Sequence, residues 1–382
     1  MKKSFTYRFS VLFLTGILWA CTFQETETST DHLTIVSWNV QNLFDGTDNG
    51  FEYSEFTNSA GWNNEKYQAR LQSIAAALKG DNGIKPDILA LVEVENEGVI
   101  RDLADSSCLN YSWFFFAGTP LWSAGTLHGD DALQPIPIGL GVLSALPITG
   151  TMVHSFHSGN SSIPRPVVEV WIDTGSGPLV LLVCHWKSKR EGEQKTESLR
   201  RAGAALITRR LAEIEAERAG TPVIILGDLN ENHDEFFRIG AAYPCALLPD
   251  SAEAAALIQK SPAGIRSDFR DFLVLSGEKP PRLNFFSASV TGVYSPWFDP
   301  EERLPESQSN TAGSYYYKDA WETIDHFLLN GALFSGSGLA YGYFRVLAEP
   351  PFTNAAGRPN AYNPRTGNGL SDHLPIVLVL NK

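Results

Sequence analysis

Four apolar runs in this chain border residues that can hold a cation or move a proton. Residues 223–226 are continuously apolar and run into Gly227-Asp228-Leu229-Asn230. Such a run suits a strand buried on both faces of a sheet. A carboxylate and a carboxamide two residues apart at its end then project to one side. An Asx-turn closing the strand would use the same residue types. Three further strand ends weigh against that plain reading. Val92-Glu93-Val94-Glu95 follows one apolar run, Val183-Cys184-His185 ends another, and Ser371-Asp372-His373 precedes a third. Asp, Asn, Glu and His gathered at strand ends are the ingredients of a metal-assisted hydrolytic site built on a sheet.

The elements that must position these residues follow from the pattern between them. A strand over 33–38 runs into Asn39-Val40-Gln41-Asn42, where Asn39 is either a turn former or a ligand. Leu71, Ile74, Ala75 and Leu78 repeat at helical spacing and predict a helix over 65–79 that stops at Gly80. Glu93 lies in the strand 88–94 between two valines, a setting in which a carboxylate is paired or bound to a cation. Glu95 and Glu97 read as a solvated turn opening a helix at 99–103. Strands are expected at 138–144 and 148–154. Arg165 precedes another at 167–172, which Gly175-Ser176-Gly177-Pro178 turns back into 179–183 as an antiparallel hairpin.

His185 ends that hairpin and is followed by Lys187, Ser188, Lys189 and Arg190. Three cations in four residues beside a histidine read as a phosphate-facing loop. The helix 196–216 carries Arg200 and Arg201, which point to the site or to water. Residues 231–320 give little periodic signal. His233 and Asp234 read as a helix cap, and His128, Asp130 and Asp131 as an exposed polar loop. Residues 294–317 read as a long surface excursion presenting aromatics around Trp297 and Tyr315. Asp325-His326 leads into a strand at 327–329, and a strand at 375–380 closes the chain.

The composition bounds the possibilities. With 382 residues, 43% hydrophobic and 11% aromatic, the chain can build a large core and global disorder is excluded. A net charge of -13 argues against broad electrostatic adhesion to nucleic acid or anionic lipid. A bound cation and a local basic patch can still supply a positive field. Site candidates run from residue 39 to residue 373 without an internal linker or repeat, so one domain must bring both ends together. Strand-rich halves with helices between them suggest two packed sheets flanked by helices.

Lys2, Lys3 and Arg8 precede a short apolar segment at 9–17, as in an export signal. Leu18-Trp19-Ala20-Cys21 is similar to a lipoprotein cleavage box, in which Cys21 becomes the acylated N-terminus and the membrane attachment. An ordinary cleaved signal or an N-terminal anchor is the alternative. Residues 1–21 are thus read as signal with lipobox, 22–31 as a polar tether and 32–382 as a single domain. The protein is expected outside the cytoplasm, lipid-anchored to a bacterial membrane, periplasmic or extracellular. Of the other cysteines, Cys184 reads as a small buried hydrophobe, while Cys108 and Cys245 are left as an open disulfide pair.

Six motifs, in order, carry a resemblance. They are Trp38-Asn39-Val40-Gln41-Asn42-Leu43, Leu91-Val92-Glu93-Val94-Glu95, Cys184-His185-Trp186-Lys187-Ser188, Gly227-Asp228-Leu229-Asn230, Ile324-Asp325-His326 and Ser371-Asp372-His373. The set resembles the endonuclease/exonuclease/phosphatase family, over about residues 33–380. Asn42-Leu43-Phe44-Asp45, Glu93-Val94-Glu95-Asn96 and His185-Trp186-Lys187-Ser188 are most similar to bacterial extracellular nuclease-like members.

The resemblance implies a four-layered α/β sandwich, two packed mixed β-sheets flanked by helices, with the site at one mouth. It implies that Asn39 and Glu93 hold a divalent cation, Mg²⁺ first and Mn²⁺ or Ca²⁺ as alternatives, with Asp372 adding charge nearby. Asp228 would orient or deprotonate the attacking water, and Asn230 would fix that water or the phosphate. His373, oriented by Asp325, would sit on the scissile phosphate, and His185 would donate to the phosphate or the leaving oxygen. Lys187, Ser188 and Arg165 complete the expected phosphate contacts.

The chain departs from the family pattern in three places. Val183 stands where many members carry Asn, His185 has no identifiable carboxylate partner, and His326 replaces an aromatic. The implied activity is hydrolysis of phosphate esters by a monomer, as a phosphodiesterase or nuclease. The alternatives are a phosphatase, a sphingomyelinase-like phospholipid phosphodiesterase and a non-catalytic surface-binding relative.

Overall fold

Alternation along the strands decides the layers. In Pro178–His185, Leu179, Leu181 and Val183 enter one core, while Val180, Leu182 and Cys184 enter another. A strand buried on both faces in this way must lie between two layers. The first core also takes Ile35, Leu91 and Leu378 from a second sheet, so it is the space between the sheets. The other core takes Ala204, Ile207 and Leu211 from the helix Glu193–Glu217, which covers the outer face. The helix Asn64–Lys79 lays Tyr67, Leu71, Ile74 and Leu78 on the opposite side of the molecule. Helix, sheet, sheet and helix make the four-layered α/β sandwich.

These statements come from a computed structural model that describes residues 31–79, 84–107, 109–118, 137–155, 157–158, 161–162, 165–260, 272–286, 292–299, 313–336 and 338–382. His32–Lys382 form one compact unit. Among the described residues one sheet has six strands, in the order Ala340–Val346, Ile376–Asn381, His32–Leu43, Ile88–Val94, Gly139–Ser144 and Trp113–Ala117. The other has eight, with Asp325–Leu329, Val223–Asp228, Pro178–His185 and Val167–Asp173 adjacent at its centre. His32–Leu43 pairs parallel with Ile88–Val94, and Val223–Asp228 parallel with Pro178–His185. Their antiparallel neighbours Ile376–Asn381 and Asp325–Leu329 start where those strands end. Strand ends from both sheets therefore open on one mouth.

Several expectations are corrected. Trp297, read as part of an exposed excursion, is fully buried, and its indole N–H donates to the Asp325 carbonyl at 2.9 Å. It belongs to a turn beside the three-residue strand Gly292–Tyr294, which is too short to show periodicity. Glu95, read as solvated, is buried and accepts the Asp45 amide at 2.6 Å. Asp234 does stand at the N-cap of the helix Glu235–Arg238, as expected, but its side chain makes no capping bond and pairs with Arg238 at 2.6 Å. Arg200 faces neither the mouth nor water. It is buried between Glu197 and Glu231, at 2.6 and 3.2 Å. Cys184 and Cys245 are buried free thiols. Cys108, the lipobox with Cys21, and the His128–Asp131 loop lie outside the described residues.

Candidate active site

The backbone at the mouth is irregular where side chains must turn inward. Strand His32–Leu43 breaks register between Asn39 and Leu43, and Ile88–Val94 does so between Val92 and Val94. Bulges of this kind re-aim a side chain that strict alternation would send elsewhere. Gln41, Asn42, Glu93 and Asn230 all hold positive φ, at 54°, 58°, 69° and 52°. Non-glycine residues in that region persist only where their surroundings over-determine them. Here Arg70, buried under the bulge, donates to the carbonyls of Val40, Gln41 and Asn42 at 2.6, 2.6 and 2.7 Å. Ser371 Oγ donates to the Asn39 carbonyl at 2.6 Å, tying the C-terminal motif to the first strand. Gly227 is required before Asp228: its φ is 119°, and a Cβ there would lie 2.1 Å from the Cys184 carbonyl oxygen.

The bulges help bring four of the motifs together. Asn39 Nδ2 donates to Glu93 Oε1 and to Asp228 Oδ2, both at 3.1 Å. His185 Nε2 lies 3.8 Å from Glu93 Oε1 and 3.7 Å from Asp228 Oδ2. The Asn230 amide N–H donates to Asp228 Oδ1 at 2.8 Å, and its side chain to the Trp186 carbonyl at 3.0 Å. Across the mouth, His373 Nδ1 meets Asp325 Oδ2 at 2.8 Å, and Ser314 Oγ donates to the same oxygen at 2.6 Å. Ligand atoms of Asp228, Asp325 and His373 lie within 4.8 Å of one another, a group able to hold a metal ion. Asp372 stands near enough to Glu93 and His373 to act on their charge.

Burial and mutual repulsion set the protonation. Burial pushes the Glu93 carboxyl up, and Asp372 adds to it. Asp228 is pushed up to about 7 by burial and then by the Asp325 charge. Burial opposes the charged form of His373, but the Asp325 charge and hydrogen bond outweigh it and push the imidazole up to about 10. Burial, with Arg165 and His373 adding to it, drives His185 well below the usual histidine range.

The two histidines are thus set differently. Arg165 Nη1 lies 2.9 Å from His185 Nε2 and 2.7 Å from the Trp186 carbonyl. Arginine has no acceptor, so it donates and that nitrogen of His185 carries no proton. The expected donation by His185 is therefore not available from Nε2 as the ring stands. A guanidinium makes the hydrogen bond at Nε2, and the Glu93 and Asp228 carboxylates stand further off at 3.8 and 3.7 Å.

The site residues suit a hard divalent cation. The donors are mainly oxygens, with a single charged imidazole nearby, and no thiolate is present to favour a soft metal. Asp228 is buried and Glu93 partly buried at close quarters, and both carboxyls are pushed up. Asp325 Oδ1 is buried without a hydrogen-bond partner, as is Arg165 Nε. The unpartnered guanidinium donor fits a bound anion.

Of the residues expected to bind phosphate, only Arg165 reaches the cluster. Lys187 is paired with Glu191, and Lys189 with Glu235 at 2.5 Å, so acidic partners hold both lysines. Ser188 flanks that turn without a side-chain capping bond. His326 is buried beneath the site with Nε2 donating to the Glu231 carbonyl at 2.8 Å. Sequence reasoning missed Ser314, Ser371 and Arg70. Ser371 was visible inside its motif, whereas nothing local marks the other two. Tyr315 is half-buried, with its ring stacked on His373 at 4.5 Å between centroids.

Residues 36–373 match the family model described as Endonuclease/Exonuclease/phosphatase family. Among solved structures, truncated Caenorhabditis elegans TDP2 is 16% identical, with 92% of this chain and 98% of that one covered and a TM-score of 0.50. The human Nocturnin catalytic domain with bound sulfate is 14% identical, with 92% and 94% covered and a TM-score of 0.47. D. rerio TDP2 complexed with single-strand DNA product is 13% identical, with 92% and 100% covered and a TM-score of 0.48. Comparison with curated proteins found no match. The match over residues 36–373 and the shared fold show that this chain belongs to the endonuclease/exonuclease/phosphatase family, a family of phosphoester hydrolases.

Proposed function

We propose that the protein is a divalent-cation-dependent phosphodiesterase acting on nucleic acid outside the cytoplasm, held to a membrane by lipid on Cys21. The observation that supports the chemistry best is the opposition of two groups across the mouth. On one side stand the hydrogen-bonded Asn39, Glu93 and Asp228; on the other stands an imidazolium formed by Asp325 and His373. Asn39 and Glu93, with Asp372 alongside, would hold Mg²⁺, or Mn²⁺ or Ca²⁺, which when bound withdraws charge from the non-bridging phosphate oxygens.

The chain's own groups supply the remaining roles. Asp228, pushed up to about 7, accepts a proton from the attacking water near neutral pH. Asn230 holds Asp228 in place through its backbone N–H. His373 has its Nδ1 taken by Asp325, so Nε2 presents a proton to the leaving oxygen. The shared bond to Asp325 makes this pair a proton-handling unit and leaves the cation to Asn39 and Glu93. Arg165, with Nε unpartnered, neutralises a non-bridging oxygen and keeps His185 a neutral wall of the site.

The test is to offer the purified protein single-stranded DNA, duplex DNA, RNA, sphingomyelin and inositol phosphates with Mg²⁺. Cleavage of a nucleic acid supports the reading. Turnover confined to sphingomyelin or to inositol phosphates would replace the substrate and keep the chemistry. No hydrolysis of any ester would sink the reading.

A further inference from the structure

The mouth is bordered by an aromatic hairpin that the hydrolytic mechanism does not use. Tyr315–Tyr317 pairs antiparallel with Ala320–Glu322, and Tyr317 faces Ala320 across a two-residue turn. Lys318 and Asp319 in that turn hold φ of 46° and 62°, the signs a type I′ turn demands. Such a turn matches strand twist and makes a stiff hairpin.

Residues two apart on a strand share a face. On one face His373, Tyr315 and Tyr317 form consecutive stacked rings. The steps are 4.5 Å at 29° and 6.1 Å at 18°. On the other face Tyr316 packs edge-on against Trp321 at 5.1 Å, with Arg358 over it at 4.2 Å. The base of the hairpin is fastened to the catalytic pair. Tyr315 bridges to His373, Ser314 donates to Asp325, and the Leu374 amide donates to the Ser314 carbonyl at 2.7 Å. The series thus keeps a fixed position relative to His373 and ends at Tyr317, whose surface is 48% exposed. The Lys318 ammonium stands 5.1 Å from that last ring.

We infer that the exposed ring of Tyr317, backed by Tyr315, forms a stacking subsite for an unpaired nucleobase near the scissile phosphate, so that the preferred substrate is single-stranded nucleic acid. The inference rests on the phosphodiesterase reading above. An acidic chain of net charge -13 gains little from long-range attraction to a polyanion, so short-range stacking must supply the affinity. A base in a duplex has both faces covered, whereas a single-stranded base offers one to Tyr317, and Lys318 can meet its neighbouring phosphate. The charged turn at the hairpin tip, Lys318 and Asp319 with Arg358 beside it, disfavours insertion into lipid, which calls for an apolar tip.

The test compares kcat/KM for two single-stranded oligonucleotides, one fully based and one carrying an abasic residue beside the cleaved bond. The wild-type protein should prefer the based strand by about tenfold, the scale of one base–aromatic stack. Tyr317→Ala should bring the preference close to one, and Tyr317→Phe should keep it, because the ring and not the hydroxyl does the stacking. A preference unchanged in Tyr317→Ala, or absent in wild type, overturns the subsite while leaving the hydrolase reading intact. Loss of binding to phosphatidylcholine–sphingomyelin vesicles in Tyr317→Ala, with no change towards oligonucleotides, overturns it in favour of a lipid contact. Failure of wild type to cut any oligonucleotide overturns both readings.

Discussion

Removing the Asp325 charge should make activity fall with rising pH. Asp325 Oδ2 accepts from His373 Nδ1 at 2.8 Å and from Ser314 Oγ at 2.6 Å, so Asp325→Asn keeps a side chain of the same shape in the same place. In the wild-type protein the imidazole is pushed up to about 10. At pH 8 roughly 99% of it then carries the proton. With Asn at 325 the two largest raising causes, the Asp325 charge and its hydrogen bond, are lost and only Asp372 and Asp228 still work against burial, so the imidazole falls towards the ordinary value of about 6.5. At that ordinary value about 3% would be protonated at pH 8, a loss of about 30-fold from ionisation alone.

At pH 6 the same calculation gives almost no ionisation loss, leaving only the cost of a misoriented tautomer. Together the two effects fall within the roughly 10²–10⁴-fold expected of a positioned acid. The assay is kcat/KM for a phosphodiester between about pH 5.5 and 10.5. The wild-type alkaline limb should lie near pH 10 and that of Asp325→Asn well below it, towards about 6.5. Parallel profiles offset by a constant factor would refute the reasoning. Combining Asp325→Asn with His373→Ala should be scarcely worse than His373→Ala alone, because the pair acts as a unit. If losses multiply, the two residues act separately. If neither matters while Asp228→Asn is inactive, the proton donor is His185 after all.

Two further outcomes are expected. Burial, together with Asp45 and Glu52, pushes the Glu95 carboxyl up to about 8. An acid whose folded value is raised leaves stability untouched below its unfolded value of about 4.5 and costs stability increasingly as pH rises to about 8. Glu95→Gln keeps an acceptor for the Asp45 amide, so it should raise Tm at pH 8.5 and leave it unchanged at pH 4.5; equal shifts at both would contradict the linkage. Cys21→Ser should move the protein from the membrane fraction to the soluble one, and unchanged association would assign the attachment to another segment.

The sequence carried the sheet centres because strands buried on both faces are written as unbroken apolar runs, and residues 88–92, 179–183 and 223–226 are of that kind. The site was legible because each run borders a residue with no comfortable place in a core. What was not legible depends on contacts distant along the chain. Trp297 looks exposed among Pro and Asp and is buried only because Asp325 and Phe344 lie behind it. Lys187 and Arg165 look alike as phosphate ligands. Glu191 draws one aside, and His185 and the Trp186 carbonyl fix the other. The hairpin at Tyr315 escaped notice because Lys318-Asp319 is not the Asn-Gly or Asp-Gly pair that marks such turns. Three-residue strands such as Leu247–Pro249 are too short to show a period.

The central claim is that Asn39 and Glu93 hold a divalent cation that hydrolysis requires. The most direct measurement is phosphodiester cleavage against free Mg²⁺, from excess EDTA upwards, for wild type and Glu93→Gln. Cleavage should vanish in chelator and return with Mg²⁺ or Mn²⁺, and the Glu93→Gln midpoint should lie at a higher Mg²⁺ concentration. Full activity in excess EDTA, or the same midpoint in both proteins, would contradict the account.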